Sequence, residues 1–164
     1  MRPIHADEIT RLAGITLDAY AQLGVDVGPY RTELADVAGR AAAADVLVAV
    51  SAAALLGGVT YVADAGNPYA EFADADAAGI RMLAVDPAAQ GRGVGGALID
   101  ACLARAAADG RRLVVLHTTT AMRVAGRLYT RRGFHRAPAR DWSPRAGIQL
   151  LGYELALARR SVEP

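Results

Sequence analysis

Residues 80–96 read IRMLAVDPAAQGRGVGG, an apolar strand that runs into a glycine-rich turn and then into an apolar helix. Glycines at the start of a helix leave backbone N–H groups exposed, where the helix dipole also favours negative charge. This geometry binds phosphate. The segment therefore indicates a domain in which helices cover a sheet, with a candidate site for a phosphorylated ligand.

The chain has the length and composition of one domain. It has 164 residues, of which 53% are hydrophobic and 21% charged, so we expect a single globular domain over residues 1–164. All 18 basic residues are arginine, and alanine and glycine are abundant, which is typical of a GC-rich bacterial genome. The lone Cys102 excludes an intramolecular disulfide and fits a cytoplasmic protein. The uncharged stretch at 46–63 contains serine, threonine and two glycines, so it predicts two strands rather than a membrane span.

Helical and strand patterns alternate irregularly along the chain. Apolar periodicity and breaker residues predict helices over residues 8–23, 31–43, 93–109 and 121–132. Strands are predicted over residues 46–50, 56–62, 80–85, 113–117 and 148–157, with a turn at 51–54 and a loop at 63–79. This mixed order predicts an α/β or α+β fold.

The glycine turn also fits a dinucleotide-binding pattern, although weakly. Gly91, Gly93 and Gly96 satisfy G-x-G-x-x-G. In a Rossmann turn the glycines follow the strand directly, whereas here residues 86–90 intervene. The acid expected after the next strand is also missing, because threonines occupy 118–120. These differences count against a dinucleotide site.

Two ordered motifs support another interpretation of the same segment. Residues 90–95, Gln-Gly-Arg-Gly-Val-Gly, fit Q/R-x-x-G-x-G/A, and together with 81–87 they closely resemble the acyl-CoA signature of the GNAT superfamily of N-acetyltransferases. Residues 125–134 resemble the A-x-x-L-Y-x-x-x-G-F segment of the same family. The resemblance implies a GNAT-like fold, with helices on both faces of a central mixed sheet. It also implies acetyl-CoA as the acyl donor, no metal, and direct attack by a primary amine in a ternary complex.

The resemblance also implies roles for individual residues. The backbone of one strand segment would hold the pantetheine arm and polarise the thioester, and the turn would hold the pyrophosphate. These cofactor-binding residues are Leu83, Ala84, Val85, Gln90, Gly91, Arg92, Gly93, Val94, Gly95 and Gly96. Arg92, Arg123 and Arg127 are candidates for contacts with phosphate, since guanidinium groups suit oxyanions. Tyr129 is the predicted general acid, because a phenol held beside the departing thiolate can protonate it.

The sequence departs from the family pattern in three places. The first strand is reduced to residues 1–4, and Met122 stands where the family often has asparagine. Many members carry a glutamate on the strand before the glycine turn to activate the amine, whereas Gly79, Ile80 and Arg81 occupy that region here. Glu71 is our choice of base, with three alternatives left open: Glu33, His117 and Tyr61. Cys102 is expected in the core, which disfavours an acyl-cysteine route.

Charge is distributed unevenly along the chain. Residues 1–79 hold 4 arginines against 11 acids, whereas residues 111–145 hold 9 arginines against Asp141 alone. This pattern predicts an acidic face and a basic face. The acidic face would attract a cationic acceptor, such as a polyamine, an aminoglycoside or a peptide amine, rather than an anionic amino acid.

Two other functions are compatible with the sequence. One is a CoA-binding sensor or degenerate domain without turnover, and the other is a nucleic-acid-binding module that uses the arginine-rich segment 111–145. Our prediction remains an enzyme with a small-molecule or peptide amine as its partner, and with neither nucleic acid nor membrane. A homodimer is left open.

Overall fold

The computed structural model describes residues 1–24, 28, 30–52 and 54–158. Within these residues, eight strands form one sheet and five α-helices pack on it. The strands are β1 (Arg2–Pro3), β2 (Asp45–Ser51), β3 (Ala54–Val62), β4 (Ala77–Val85), β5 (Leu113–Thr119), β6 (His135–Arg136), β7 (Trp142–Arg145) and β8 (Ile148–Ala156). The helices are α1 (Ile9–Ala21), α2 (Tyr30–Ala35), α3 (Val37–Ala43), α4 (Val94–Ala108) and α5 (Arg123–Arg131).

The sheet is mixed, as predicted. The strands lie in the order β1-β2-β3-β4-β5-β8-β6, and β7 also pairs with β8. All pairs are antiparallel except β4 and β5, which are parallel. A parallel pair needs a crossover connection, and the glycine turn and α4 provide it.

Helices cover both faces of the sheet, which confirms the expected fold class. The face under α4 and α5 buries Leu47, Val59, Tyr61, Ile80, Val114 and Leu116 against Leu98, Ile99, Cys102, Tyr129 and Phe134. The face under α1 and α3 buries Val46, Val48, Leu55 and Ala84 against Leu12, Ile15 and Val37. Cys102 is a core residue, as expected, and burial raises the pKa of its thiol to about 12. None of the helices described is long and apolar enough to cross a membrane.

Several predicted elements differ from the structure in their bounds. The helix expected over 31–43 is two helices, because the Asp36 carboxylate accepts a hydrogen bond from the N–H of Gly39 (2.8 Å) and caps α3. The short strands β6 and β7 were not predicted. The first strand is short, as expected, and pairs with β2. The turn predicted at 51–54 includes Ala53, which lies outside the described residues.

Strand β4 contains a bulge opposite β3. Gly58 pairs with Ala84 and Thr60 with Arg81, so two steps along β3 match three along β4. The stretch contains Met82, whose φ is +52°. This left-handed conformation costs a residue with a side chain about 1–2 kcal/mol. A bulge bends its strand and increases the local twist.

Strands β4 and β5 pair only over their first halves. Their parallel register runs from Ala77 opposite Leu113 to Ile80 opposite Leu116. Both strands continue past this point, and no strand in the described part of the chain lies between them. A gap therefore opens between β4 and β5 toward the glycine turn. The backbone N–H and C=O groups along its two edges are free to form hydrogen bonds with a ligand.

Candidate active site

The glycine turn forms an open stretch of backbone between β4 and α4. Asp86 accepts a hydrogen bond from the N–H of Ala88 (2.9 Å), which fixes the single helical turn Pro87–Ala89 ahead of the glycines. Gly91 and Gly93 have φ of +75° and +80°, and a Cβ on either would meet nothing within 4 Å. The N–H groups of residues 91–96 have no acceptor among the described residues. They are thus available to an anion at the start of α4.

The next two glycines allow helix packing instead. A Cβ on Gly95 would lie 3.2 Å from Cδ2 of Leu128, and a Cβ on Gly96 would collide with the guanidinium of Arg132. Arg132 in turn donates to the Asp100 carboxylate on α4 (3.0 and 3.2 Å). Gly95 and Gly96 therefore let α5 approach α4, and only their backbone N–H groups remain for a ligand.

The other predicted cofactor-binding residues are divided between core and surface. The side chains of Val94, Leu83 and Val85 pack toward the core under α4 and α5. Ala84 packs into the core on the opposite face. Three of these residues, 83 to 85, lie on β4 beyond its pairing with β5. Their side chains are structural, and only their backbone is available to a ligand along the gap.

Three arginines near the turn have no ion-pair or hydrogen-bond partner among the described residues. Arg92 is part of the turn, and Arg123 and Arg127 lie at the start of α5, all three exposed. Arg123 and Arg127 line a cavity of about 600 Å³ together with Thr118. The Thr118 hydroxyl is buried and lacks a hydrogen-bond partner in the described structure. Free guanidinium groups and an unused hydroxyl fit a phosphorylated ligand.

The exposed side chain of Gln90 makes its contact outside the glycine turn. Its side-chain amide donates to Oε1 of Gln22, just after α1, over 3.2 Å. The side chain therefore ties the turn to α1, while its backbone continues into the glycine segment. This contact lets the first helix support the turn.

Tyr129 lies on α5 at the edge of the core. It is 6% exposed, and its ring packs against those of Phe134 and Tyr153, with centroids 6.1 and 6.0 Å away. Burial raises the pKa of the Tyr129 phenol above its ordinary value, so the group keeps its proton at neutral pH. Its hydroxyl has no hydrogen-bond partner among the residues described. It is thus suited to donate a proton to a bound group.

Glu71, in the loop before β4, lies between two basic side chains. Its Oε1 is 2.9 Å from Nη2 of Arg81, and its Oε2 is 3.2 Å from Nδ1 of His117. Arg81 and His117 directly follow the last residue pair of the β4–β5 register, so they lie where the gap begins. Arg81 also contacts the Tyr30 hydroxyl (3.4 Å) and Glu33 (3.3 Å) of α2.

Both ring nitrogens of His117 face hydrogen-bond acceptors. Nδ1 faces Glu71, and Nε2 is 2.9 Å from the backbone oxygen of Arg140. A neutral imidazole can donate to only one of these acceptors, whereas an imidazolium donates to both. With no free nitrogen, His117 is poorly arranged to take a proton from a substrate. It connects the Glu71 loop to the chain just before β7.

The two remaining candidates for the base are less well placed than Glu71. The Tyr61 hydroxyl donates to Asp109 (2.8 Å), just after α4. Since α4 has 15 residues, that point lies about 22 Å from the glycine turn. The Glu33 side chain is 44% exposed, against 16% for Glu71, and its distance to Arg81 is longer, at 3.3 Å. The described residues also hold no cluster of three or more His, Cys, Asp or Glu side chains that could bind a metal ion.

Arg81 is a site residue that sequence reasoning missed. It occupies the strand region where a glutamate was expected, and its guanidinium holds Glu71 beside that strand. The carboxylate that lies beside this part of β4 therefore comes from the preceding loop and not from the strand itself. The signal in the sequence was a single charged residue within the apolar run 80–85, soon after an acidic loop.

Ion pairs between distant parts of the chain reduce the expected separation into an acidic and a basic face. Six acids of the first 79 residues form ion pairs, three of them with arginines of the second half of the chain. Those three pairs are Asp45–Arg105 (2.9 Å), Asp74–Arg140 (2.7 Å) and Asp76–Arg112 (3.9 Å). Much of the negative charge expected to attract a polyamine is therefore neutralised within the fold.

Comparison with known proteins adds independent information. The family profile described as acetyltransferase (GNAT) domain matches residues 42–136. No curated protein shows significant similarity to the chain.

Solved structures share the fold at low sequence identity. A ribosomal-protein-alanine N-acetyltransferase from Brucella melitensis is 18% identical, covers 95% of this chain and 98% of its own, and has a TM-score of 0.70. A GNAT-family acetyltransferase from Staphylococcus aureus Mu50 is 12% identical over 95% of this chain and 97% of its own, with a TM-score of 0.75. An acetyltransferase from Salmonella typhimurium, solved with its cofactor acetyl-CoA, is 18% identical over 99% of this chain and 96% of its own, with a TM-score of 0.68.

Proposed function

This chain belongs to the GNAT acetyltransferase family and is an acyltransferase, and we propose that it moves the acetyl group of acetyl-CoA to a primary amine by direct attack in a ternary complex. The gap between β4 and β5 carries the proposal. At its wide end lie the free N–H groups of the glycine turn and the unpaired arginines, which suit an acyl donor with phosphates. At its narrow end lies Glu71, which suits an amine.

On the donor side, the backbone is the main binding element. The edge of β4 at Leu83 to Val85 would hold the pantetheine arm and donate an N–H to the oxygen that becomes negative as the amine attacks. One such donor contributes about 3 kcal/mol of transition-state stabilisation. Residues 90–96 would hold the pyrophosphate, and Arg92, Arg123 and Arg127 the remaining phosphate charge. The fold neighbour solved with acetyl-CoA supports this donor.

Two residues transfer protons in this reaction, Glu71 at the acceptor amine and Tyr129 at the donor sulfur. The amine must lose a proton before it attacks, and Glu71 accepts it, directly or through a water molecule. Arg81 and His117 orient this carboxylate. Tyr129 protonates the departing thiolate, because its buried phenol is still protonated at neutral pH. The buried Cys102 thiol, with its raised pKa, is unsuited to carry the acetyl group.

Acetyl-CoA calorimetry combined with thiol release from a panel of primary amines tests this function. We expect the protein to bind acetyl-CoA and to release free thiol only when a suitable amine is present. Binding without release for every amine would indicate a CoA-binding domain without turnover. Absence of binding would overturn the proposal. Salt-dependent binding of DNA would instead support the nucleic-acid module that the unpaired arginines of α5 allow.

The Glu71→Gln variant tests the base. Glutamine keeps the shape and can still accept a hydrogen bond from Arg81, but it cannot take a proton. We expect kcat/KM at pH 7 to fall at least about tenfold, with unchanged affinity for acetyl-CoA. The deficit should shrink toward pH 10, where the amine loses its proton unaided.

Glu33→Gln is the matched control, since it removes the other carboxylate beside Arg81. It should retain nearly full kcat/KM at both pH values. Equal losses in the two variants, or a loss for Glu71→Gln that is independent of pH, would rule out Glu71 as the base.

A further inference from the structure

A cavity of about 380 Å³ lies beside Glu71, on the acceptor side of the gap. Its lining is formed by Glu71, Ala139, Arg140, Asp141 and Trp142. A volume of this size is within the range of small-molecule sites, at about 300–1,000 Å³. Glu71 thus belongs both to the narrow end of the gap and to this cavity.

The other charged side chains of the cavity already have partners. Arg140 is held between Asp74 and Glu154, each at 2.7 Å. A substrate carboxylate or phosphate would therefore find no free cation in the lining. Asp141 accepts two hydrogen bonds from Arg136 (2.8 and 2.9 Å) and one from the N–H of Gly152 (2.8 Å).

Glu71 keeps capacity for one more donor. Each of its oxygens has one close ion-pair contact, with Arg81 or with His117. A carboxylate offers about four acceptor positions, so two remain. One ammonium group can occupy them, whereas a second ammonium on the same substrate would find no equivalent carboxylate in the cavity.

The remaining surface of the cavity is apolar and comes from Ala139 and Trp142. Trp142 is 41% exposed, one of few large hydrophobic side chains exposed among the described residues. Its ring meets that of His117 at 83°, with centroids 6.4 Å apart, so Trp142 packs against the imidazole that contacts Glu71. A half-exposed indole next to a carboxylate offers a flat, apolar surface for the body of an amine.

We propose that the acceptor is a monoamine with a flat aromatic body, whose ammonium group bonds to Glu71 and whose ring packs on Trp142. This inference rests on the proposed function. In the reaction, the amine nitrogen forms a bond to the acetyl carbon, and the bond from that carbon to sulfur breaks. The ammonium nitrogen loses two protons. Glu71 passes one of them to solvent, and the other balances the proton that Tyr129 donates to sulfur.

Thiol release measured with four different amines tests the acceptor class. 2-Phenylethylamine is compared with 2-cyclohexylethylamine, which has a non-planar ring, with phenylalanine, which adds a carboxylate, and with putrescine, which adds a second ammonium. For the wild type we expect kcat/KM to be at least about tenfold higher for 2-phenylethylamine than for each of the others. Equal or higher values for any of the three would overturn the inference.

Variants of Trp142 test the contact itself. Trp142→Ala should raise KM for 2-phenylethylamine about tenfold with little change in kcat, and Trp142→Phe should restore most of the affinity. Val124→Ala, which removes an exposed apolar side chain from α5, is the control and should behave as wild type. Melting temperatures show whether the variants are folded. An unchanged KM in folded Trp142→Ala contradicts the contact, whereas failure of every amine to release thiol from wild type contradicts the proposed function instead.

Discussion

Tyr129→Phe is expected to lower kcat by about 10²-fold or more while leaving affinity for acetyl-CoA unchanged. The variant keeps the ring that packs on Phe134 and Tyr153, and it loses only the proton donor. Steady-state thiol release and calorimetry measure the two quantities separately. Because burial raises the pKa of the Tyr129 phenol above its ordinary value, this acid stays protonated as pH rises. Wild-type kcat should therefore show no loss from deprotonation of Tyr129 up to about pH 10.

Tyr61→Phe is the control for that experiment. It also removes a buried phenol hydroxyl, but one that bonds to Asp109 at the far end of α4. It should reduce stability by about 1–2 kcal/mol, because the carboxylate loses a partner, and leave kcat unchanged. If Tyr129→Phe turns over like the wild type, Tyr129 serves packing only.

Gly93→Val is expected to weaken acetyl-CoA binding at least about 10²-fold, since two charge-assisted hydrogen bonds to phosphate contribute about 1.5 kcal/mol or more each. A side chain there would fill the open turn and would also strain a residue with φ of +80°. Gly110, at the other end of α4, has φ of +70° and equally open surroundings.

Gly110→Val therefore imposes a similar backbone strain at the opposite end of the same helix. Both variants should melt at similarly reduced temperatures, whereas only Gly93→Val should lose affinity in calorimetry. Equal affinities in the two variants would mean that the turn does not hold the donor.

The segments with local signals were predictable from sequence. Glycines with open surroundings, the apolar stripe of α4 and the motif around Tyr129 are each recognised within a few residues, and each forms the predicted element. The cap at Asp36 was harder to see, because a short carboxylate in an alanine-rich run is also tolerated in a helix. Strands β6 and β7 are short and partly charged, so their pairing with β8 follows from tertiary context.

The acceptor side depends on contacts between distant parts of the chain. Nothing in the sequence near Glu71 indicates that Arg81 and His117 hold it, because that arrangement requires β4 and β5 to be parallel neighbours. Trp142 likewise carries no local signal for such a role, because it is simply one of few aromatics in the arginine-rich segment 111–145. Its relation to Glu71 appears only once β7 is paired with β8.

The bulge in β4 has a consequence for how natural selection acts on this strand. Ile80, Leu83 and Val85 all pack under α4 and α5, and a strand shortened by Met82 would keep each of them on that face by simple alternation. Alternation alone therefore does not require the extra residue, which imposes a strained φ. Strained backbone of this kind clusters at functional sites, where a property other than regular pairing is selected. We expect the selected property to be the separation of β4 from β5 beyond Ile80, in which case this position trades stability for activity.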